Sequence, residues 1–206
     1  MSCSSFCGER KKSREKIQGM GAVIVKKVGA ICSYEEIQRV SHVLRKQSLR
    51  DYLLFRLGVN LGLRVSDLLN LQVADLKGKE RIRIKDEKSN RSYEFILSET
   101  LKEEIAYFLG NQEKGYVFQS RNSGGRLTRQ RVYLILRKAA EEAGIDCEIG
   151  TQTLRKTFGY WAYKKGASLE SIRRFLGHAT TNMTLRYIGI EQEVKKGVNI
   201  FASLDL

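Results

Sequence analysis

The feature that most constrains the fold of this chain is the helical spacing of its apolar residues. Side chains at intervals of three and four recur over residues 34–44, 49–60, 65–71, 100–109, 128–143, 153–165, 168–175, 180–187 and 194–202. Only residues 81–84 and 93–97 alternate with period two, and the polar stretch 86–91 between them is typical of a hairpin turn. Val117 and Phe118 are predicted to add a short third strand. The pattern predicts a mainly α fold with a small antiparallel β-sheet (α+β).

Two helix starts carry the pattern of a capping box. In this motif the hydroxyl of the first residue accepts a hydrogen bond from the backbone N–H three residues later, and the acidic side chain at that later position accepts one from the backbone N–H of the first residue. Ser33 with Glu36 predicts one start, and Thr100 with Glu103 predicts another. Glycines at or after the ends of the later helical segments indicate where those helices stop.

Composition changes along the chain suggest three regions. Residues 1–32 mix Ser, Gly and Lys/Arg with a single short apolar run at residues 22–25, which predicts a basic, flexible N-terminal arm with one strand. Residues 33–190 carry the periodic pattern of a packed domain. Residues 191–206 have an amphipathic stretch, which we interpret as a tail helix that docks in cis or on a neighbouring protomer.

The charge distribution points to a polyanionic partner. The net charge is +14, and residues 120–187 hold thirteen Lys or Arg against five Asp or Glu. A strongly basic protein commonly binds nucleic acid through its phosphates, although a solvated basic surface explains the charge equally well. In this block we predict DNA contacts for Arg129, Arg131, Lys156 and Arg173.

Several classes of protein are disfavoured by features that the sequence lacks. No apolar run approaches the ~18 residues needed to cross a bilayer, and the N-terminal residues show no export signal. The four cysteines lack the paired short spacings of a zinc site. We therefore expect a soluble, cytoplasmic, DNA-associated protein with no metal and no cofactor.

Two arginines stand at predicted helix starts. Arg64 follows a Gly-Leu pair, where backbone N–H groups and the helix dipole favour an anion. Taken alone, such an arginine is more often a partly buried structural residue, paired here with Asp67. Arg155 begins a helix within the basic block, where a positive charge is unfavourable unless it meets an anion.

Two further candidate functional residues are recognised only by the spacing between them. His178 follows Leu176-Gly177, and Tyr187 lies nine residues later. A histidine after glycine is usually a turn residue, and a tyrosine at a helix end usually belongs to a core or an interface.

Together these segments resemble the tyrosine recombinases, the phage integrase family. That family carries Gly-Leu-Arg-x-Ser-Asp/Glu-Leu, then His-x-Leu-Arg, then Leu-Gly-His, and then a tyrosine. This chain has Gly62–Leu68, Gln152–Arg155, Leu176–His178 and Tyr187 in the same order. The resemblance extends from about Ser33 to the C-terminus.

The resemblance implies an enzyme that breaks and rejoins double-stranded DNA without metal or nucleotide cofactor, as a homotetramer on paired sites. Tyr187 would attack the phosphorus to form a 3′-phosphotyrosyl link, while Arg64 and Arg155 hold the phosphate oxygens. Lys88, in the hairpin turn, would protonate the leaving 5′-oxygen. His178 would hydrogen-bond the phosphate or the tyrosyl oxygen.

Gln152 departs from the family pattern, because most members carry histidine there. A glutamine donates and accepts hydrogen bonds but cannot take up a proton at neutral pH, so we interpret Gln152 as a phosphate-positioning residue. The departure leaves open a non-catalytic or impaired DNA-binding protein on the same fold. A relaxing topoisomerase that shares the tyrosine chemistry is a less favoured alternative.

Overall fold

The computed structural model describes residues 28–85, 91–120, 124–145 and 147–190. In chain order the helices and strands are α1 (Tyr34–Gln47), α2 (Leu49–Leu61), α3 (Val65–Leu69), α4 (Val73–Leu76), β1 (Arg81–Lys85), β2 (Ser92–Ile96), α5 (Glu99–Leu109), α6 (Arg129–Glu142), α7 (Thr153–Lys164), α8 (Leu169–Leu176) and α9 (Thr181–Ile188). The predicted class, mainly α with a small antiparallel sheet, is confirmed. The predicted helix at 194–202, the strand at 22–25 and the hairpin turn all lie outside the described residues.

Helix α2 is the centre of the larger apolar core. Leu53, Leu54, Phe55 and Leu57 are all buried within five positions, so this helix has apolar contacts on most of its circumference. It contacts α1, α5 and α7. The contact with α7 is close at Gly58, where a Cβ atom would lie 2.5 Å from Leu154 Cδ1.

A second, smaller apolar cluster joins α7 to α8 and α9. Its buried members are Tyr160, Ile172, Leu176, Leu185, Ile188 and Ile190. The approach of α9 to α7 is close at Gly159, where a Cβ atom would lie 2.7 Å from Ile188 Cγ2. Tyr187 packs against this cluster, which therefore positions the predicted nucleophile relative to α7.

Residues 28–32, the end of the predicted N-terminal arm, pack on α7. Ile31 is fully buried; its N–H donates to Thr157 Oγ1 at 2.9 Å, and its carbonyl accepts from Trp161 Nε1 at 3.1 Å. These bonds join the segment before α1 to the helix that carries Arg155. The preceding residues of the predicted arm lie outside the described part of the chain.

The helix caps confirm one prediction and correct another. The Ser33 hydroxyl accepts the Glu36 N–H at 3.3 Å, as predicted for the start of α1. Helix α5 begins at Glu99 instead of Thr100, because Ser98 supplies the capping oxygen for the Leu101 N–H at 3.3 Å. The predicted Thr100 capping box was therefore wrong, since a competing hydroxyl lies two residues earlier.

The predicted third strand is absent from the described residues. Strands β1 and β2 form a two-stranded antiparallel sheet in which Ile82 pairs with Phe95. Val117 and Phe118 instead lie between two isolated bridges, Gln72 with Tyr116 and Gln119 with Arg126. Both apolar side chains are buried in the core, and this burial explains their apolar character without a ladder.

Gly62, which ends α2, is a position where we predict that a single methyl group destabilises the fold. Its backbone is left-handed at φ 60°, and a Cβ atom there would lie 2.3 Å from Phe158 Cδ1. Gly62→Ala should lower the free energy of unfolding by the ~1–2 kcal/mol of the left-handed backbone plus ~1–3 kcal/mol of overpacking. Denaturant unfolding measures this loss.

Gly144→Ala is the matched control for that variant. Gly144 also has positive φ, at 64°, but nothing lies within 4 Å of its Cβ position. The Gly144→Ala variant should lose only the ~1–2 kcal/mol of unfolding free energy that comes from the left-handed backbone. Equal losses in the two variants would contradict the close packing of Phe158 on the α2 terminus.

Candidate active site

Arg155 connects three segments that are distant in the sequence. Its guanidinium donates from Nη1 to the Gly62 carbonyl at 2.6 Å and from Nη2 to the Phe175 carbonyl at 3.1 Å. The guanidinium carbon also lies 5.0 Å from the centroid of the Phe175 ring. The side chain is only 5% exposed, so α7 holds this arginine between the α2–α3 turn and the end of α8.

One cavity of about 490 Å³ is lined by three arginines and one carboxylate, together with neutral residues: Arg64, Arg129, Arg155, Asp67, Val65, Ser66, Thr151 and Gln152. Burial lowers the pKa of Arg155, and the nearby positive charge of Arg64 lowers it further. Two adjacent guanidiniums repel each other, and an anion between them would relieve that repulsion while accepting bidentate hydrogen bonds. The cavity therefore has the charge and donors for a phosphate group.

Tyr187 reaches this cavity through Gln152. The Tyr187 hydroxyl donates to Gln152 Oε1 at 2.8 Å, although the two residues are 35 positions apart. Burial raises the pKa of Tyr187, while the positive charges of Arg155 and Arg64 partly oppose that rise. The hydroxyl is thus protonated near neutral pH and must lose its proton before it can attack phosphorus.

His178 contacts the Tyr187 ring. The two ring centroids are 4.9 Å apart at an interplanar angle of 69°, an edge-to-face contact. His178 Nδ1 is 3.0 Å from Thr184 Oγ1. Burial lowers the pKa of His178, and the positive charges of Arg155 and Arg64 lower it further, which favours the neutral imidazole.

Arg173, predicted to contact DNA, holds the loop that carries His178. Its Nη1 donates to the His178 carbonyl at 2.9 Å and the Ala179 carbonyl at 3.2 Å, while Nε and Nη2 bond Glu170 at 2.7 Å each. These contacts give Arg173 a structural role in this loop. A DNA contact from it stays a prediction.

The other predicted DNA-contacting residues occupy different environments. Arg129 lines the cavity beside the two site arginines, whereas Arg131 lines a separate cleft with Thr128. Lys156 is only 8% exposed, and its ammonium donates to the Val28 carbonyl at 2.7 Å and lies 5.1 Å from the Tyr187 ring centroid. Lys156 therefore contacts the predicted nucleophile, an arrangement that the sequence did not suggest.

Lys88 lies outside the described residues, but the strands that flank it are described. The Tyr93 hydroxyl, on β2, donates to the Phe175 carbonyl at 3.3 Å, and the two rings are 4.9 Å apart. The same carbonyl accepts from Arg155. Sequence reasoning missed Tyr93 and Phe175, since neither belongs to a motif.

Thr184 was also missed, although the sequence contained a signal for it. It lies three residues before Tyr187, and residues three apart share a helix face.

Among the residues that the structure describes, no three His, Cys, Asp or Glu side chains converge as metal ligands do, and no helix could cross a bilayer. The absence of a metal requirement stays a prediction.

Comparison with known proteins agrees with this geometry. The model of the phage integrase family matches residues 32–193. The probable integrase/recombinase YoeC of Bacillus subtilis is 38% identical over 179 residues, which cover 86% of this chain and 98% of that protein. The family and the fold are those of DNA-breaking and rejoining enzymes. The chain belongs to the phage integrase family, that of the tyrosine-type site-specific DNA recombinases.

Solved structures show the same fold at low sequence identity. The crystal structure of XerA recombinase matches with a TM-score of 0.66 at 22% identity, over 83% of this chain and 66% of that one. A lambda integrase tetramer bound to a Holliday junction matches with a TM-score of 0.61 at 16% identity, over 91% of this chain. This chain spans 57% of the lambda integrase chain.

Proposed function

We propose that this recombinase cleaves and rejoins double-stranded DNA at specific sites through a 3′-phosphotyrosyl intermediate on Tyr187. The observation that carries the proposal is that the four motif segments meet: Arg64, Gln152 and Arg155 line one cavity, the Tyr187 hydroxyl bonds Gln152, and the His178 ring contacts the Tyr187 ring. Arg155 bonds the carbonyls of Gly62 and Phe175, and the Tyr187 hydroxyl bonds Gln152 at the cavity wall. Separate structural roles for these residues would not explain why the motif segments lie in contact with one another.

The arrangement suits in-line phosphoryl transfer without a metal. Charge develops on the non-bridging oxygens in the transition state, and Arg64 and Arg155 would hold those oxygens by bidentate hydrogen bonds. The energy of the broken phosphodiester is retained in the phosphotyrosyl bond, so rejoining needs no nucleotide cofactor. Lys88 is proposed to protonate the 5′-oxygen as it leaves.

The assay for this function is trapping of a covalent adduct. The protein is incubated with nicked suicide duplexes that carry candidate sites, and a denaturing gel resolves protein joined to DNA. The adduct should form equally well in EDTA, since the arginines supply the charge that a metal would otherwise supply. Loss of the adduct in chelator would contradict the metal-independent reaction.

The competing function, a DNA-binding protein without catalysis on the same fold, is favoured by one residue, Gln152. We predict that Gln152→His raises the rate of adduct formation by up to ~10²-fold, since a positioned acid/base group typically adds that much. Gln152→Asn is the control: its shortened amide should no longer reach the Tyr187 hydroxyl, and the rate should fall. A protein that stays inert after Gln152→His would support the binding function.

Assembly on DNA is proposed from the fold and the family. A homotetramer on paired sites would match the tetramer in which lambda integrase binds a Holliday junction. Residues 191–206 are proposed to form a docking tail in cis or in trans, as their apolar pattern suggests. The protein would then act on DNA in the cytoplasm. The Lys and Arg side chains within residues 120–187 would face the DNA phosphates.

A further inference from the structure

A hydrogen-bond chain behind His178 determines which of its ring nitrogens carries the proton. Nδ1 lies 3.0 Å from Thr184 Oγ1, and Thr184 Oγ1 donates to the Thr180 carbonyl at 3.4 Å. Thr184 is fully buried, so water does not replace either bond. Among the described residues Nδ1 thus contacts one hydroxyl, that of Thr184, and the hydrogen of this hydroxyl has a second acceptor available.

Two proton arrangements are compatible with these distances. If the Thr184 hydroxyl donated to Nδ1, its bond to the Thr180 carbonyl would be lost. If Nδ1–H donates to Thr184, the hydroxyl hydrogen remains on the Thr180 carbonyl, and both bonds form. Buried groups favour the arrangement with more hydrogen bonds, and successive bonds strengthen each other. The neutral imidazole therefore carries its hydrogen on Nδ1 and a lone pair on Nε2.

The loop around His178 is held from its backbone side as well. Arg173 bonds the His178 and Ala179 carbonyls and is itself held by Glu170. With Thr184 fixing Nδ1 and the Tyr187 ring contacting the imidazole edge to face, the position of the ring is restrained on three sides. The lone pair on Nε2 is consequently presented in a defined direction.

Among the described groups that contact or electrostatically affect Tyr187, His178 is the one that can accept a proton. Gln152 already accepts the hydroxyl hydrogen, but an amide oxygen does not become protonated at neutral pH. Lys156 is an ammonium that donates to the Val28 carbonyl, and Arg64 and Arg155 have no acceptor atom. The proton of Tyr187 must nevertheless leave before or during attack.

We propose that His178 Nε2 accepts the phenolic proton of Tyr187 and that Thr184 is the positioning residue that keeps Nε2 unprotonated for this step. The proposal rests on the phosphotyrosyl chemistry proposed above. The Tyr187 O–H bond breaks as Nε2–H forms, the tyrosyl oxygen bonds phosphorus, and the bond from phosphorus to the 5′-oxygen breaks. That oxygen takes a proton from the general acid, for which Lys88 is proposed. During rejoining the imidazolium returns its proton to the departing tyrosyl oxygen.

A substrate that needs no general acid isolates this step. In a duplex with sulfur in place of the bridging 5′-oxygen, the leaving group is a thiolate, which departs unprotonated because a thiol has a pKa of about 8.5. The measured quantity is the single-turnover rate of adduct formation. His178→Gln should lower that rate by at least ~10²-fold, the usual contribution of a general base. A glutamine still donates a hydrogen bond to phosphate but cannot take a proton.

Thr184 is tested by two variants, one that is isosteric without the hydroxyl and one that keeps the hydroxyl. Thr184→Val removes the hydroxyl and should slow adduct formation at least ~10-fold, as expected when an oriented histidine loses its partner. Thr184→Ser retains the hydroxyl and should retain most of the rate. A Val variant as fast as the Ser variant would overturn the positioning role.

The tautomer itself is observable by nitrogen NMR, because the chain has only two histidines, His42 and His178. His42 is exposed on α1 and serves as the internal reference. At neutral pH we expect the His178 ring to carry its hydrogen on Nδ1 and to lose this preference in folded Thr184→Val. A hydrogen on Nε2 in the unaltered protein would overturn the proposal.

The outcomes separate this proposal from the proposed function. If the unaltered protein forms an adduct and His178→Gln forms it within a few-fold of the same rate, His178 acts only as a phosphate donor and the present inference is wrong while the function stands. If the unaltered protein forms no adduct with either substrate, both are overturned.

Discussion

Tyr187→Phe should abolish the covalent protein–DNA adduct while leaving DNA affinity and folding nearly unchanged. The substitution removes only the hydroxyl oxygen, which is the attacking atom in the proposed reaction. Within the described residues the hydroxyl donates one side-chain hydrogen bond, to Gln152 at 2.8 Å, and such a bond contributes only ~0.5–1.5 kcal/mol to stability. The measurements are adduct yield on a denaturing gel, DNA affinity and denaturant unfolding.

Tyr163→Phe is the matched control for the nucleophile. Tyr163 packs against the same apolar cluster as Tyr187, so its variant also removes a hydroxyl from this part of the molecule. It should form the adduct at the unaltered rate. An adduct that survived Tyr187→Phe would identify a different nucleophile and refute the role assigned to Tyr187.

Loss of either site arginine should have the next largest effect. Arg155→Ala and Arg64→Ala should each lower the rate of adduct formation by at least ~10²-fold, the usual result of removing one stabiliser of transition-state charge. Arg155→Ala should also destabilise the fold, because the carbonyls of Gly62 and Phe175 lose their bonds to it. Single-turnover kinetics and denaturant unfolding measure the two effects separately.

Lysine variants and a surface arginine make this prediction specific. Lysine keeps the charge but not the planar pair of donors, so Arg155→Lys and Arg64→Lys should recover only part of the rate. Arg137 is an exposed arginine on α6 paired with Glu141, and Arg137→Ala should leave the rate near that of the unaltered protein. A near-normal rate in Arg64→Ala would show that Arg64 has a structural role and does not hold the phosphate.

The local elements of the fold were predictable because their causes are local. Ser33, Thr128, Ser168 and Thr180 each cap the helix that follows, and the hydroxyl acts on a backbone N–H only a few residues away. The β-hairpin follows in the same way from alternation around a polar turn. The start of α5 was misplaced because Ser98 and Thr100 are both capable caps, and their order in sequence does not say which one the chain uses.

Elements without strong periodicity were not predictable. Helix α4, a single turn, has too few residues to show a helical spacing, and it was missed. The apolar pair Val117-Phe118 resembles a strand in sequence but supplies core side chains at a bend in the backbone. Short apolar runs carry no information about their hydrogen-bonding partners.

The sequence by itself determined the class of this protein and the identity of its candidate catalytic residues. Arg64, Arg155, His178 and Tyr187 are named by motifs whose order along the chain is preserved. Residue type limits the chemistry available at each position, because a guanidinium is a fixed donor, a phenol can be a nucleophile and an amide cannot be a base.

Only the tertiary structure decided how those residues act on one another. Arg155 bonds Gly62 across 93 positions, and Tyr187 bonds Gln152 across 35. Lys156, which the sequence assigned to DNA, is buried against the Tyr187 ring, and Thr184 holds the imidazole of His178. Contacts between distant segments depend on how α7, α8 and α9 pack through their shared apolar cluster, and no local pattern encodes those distances.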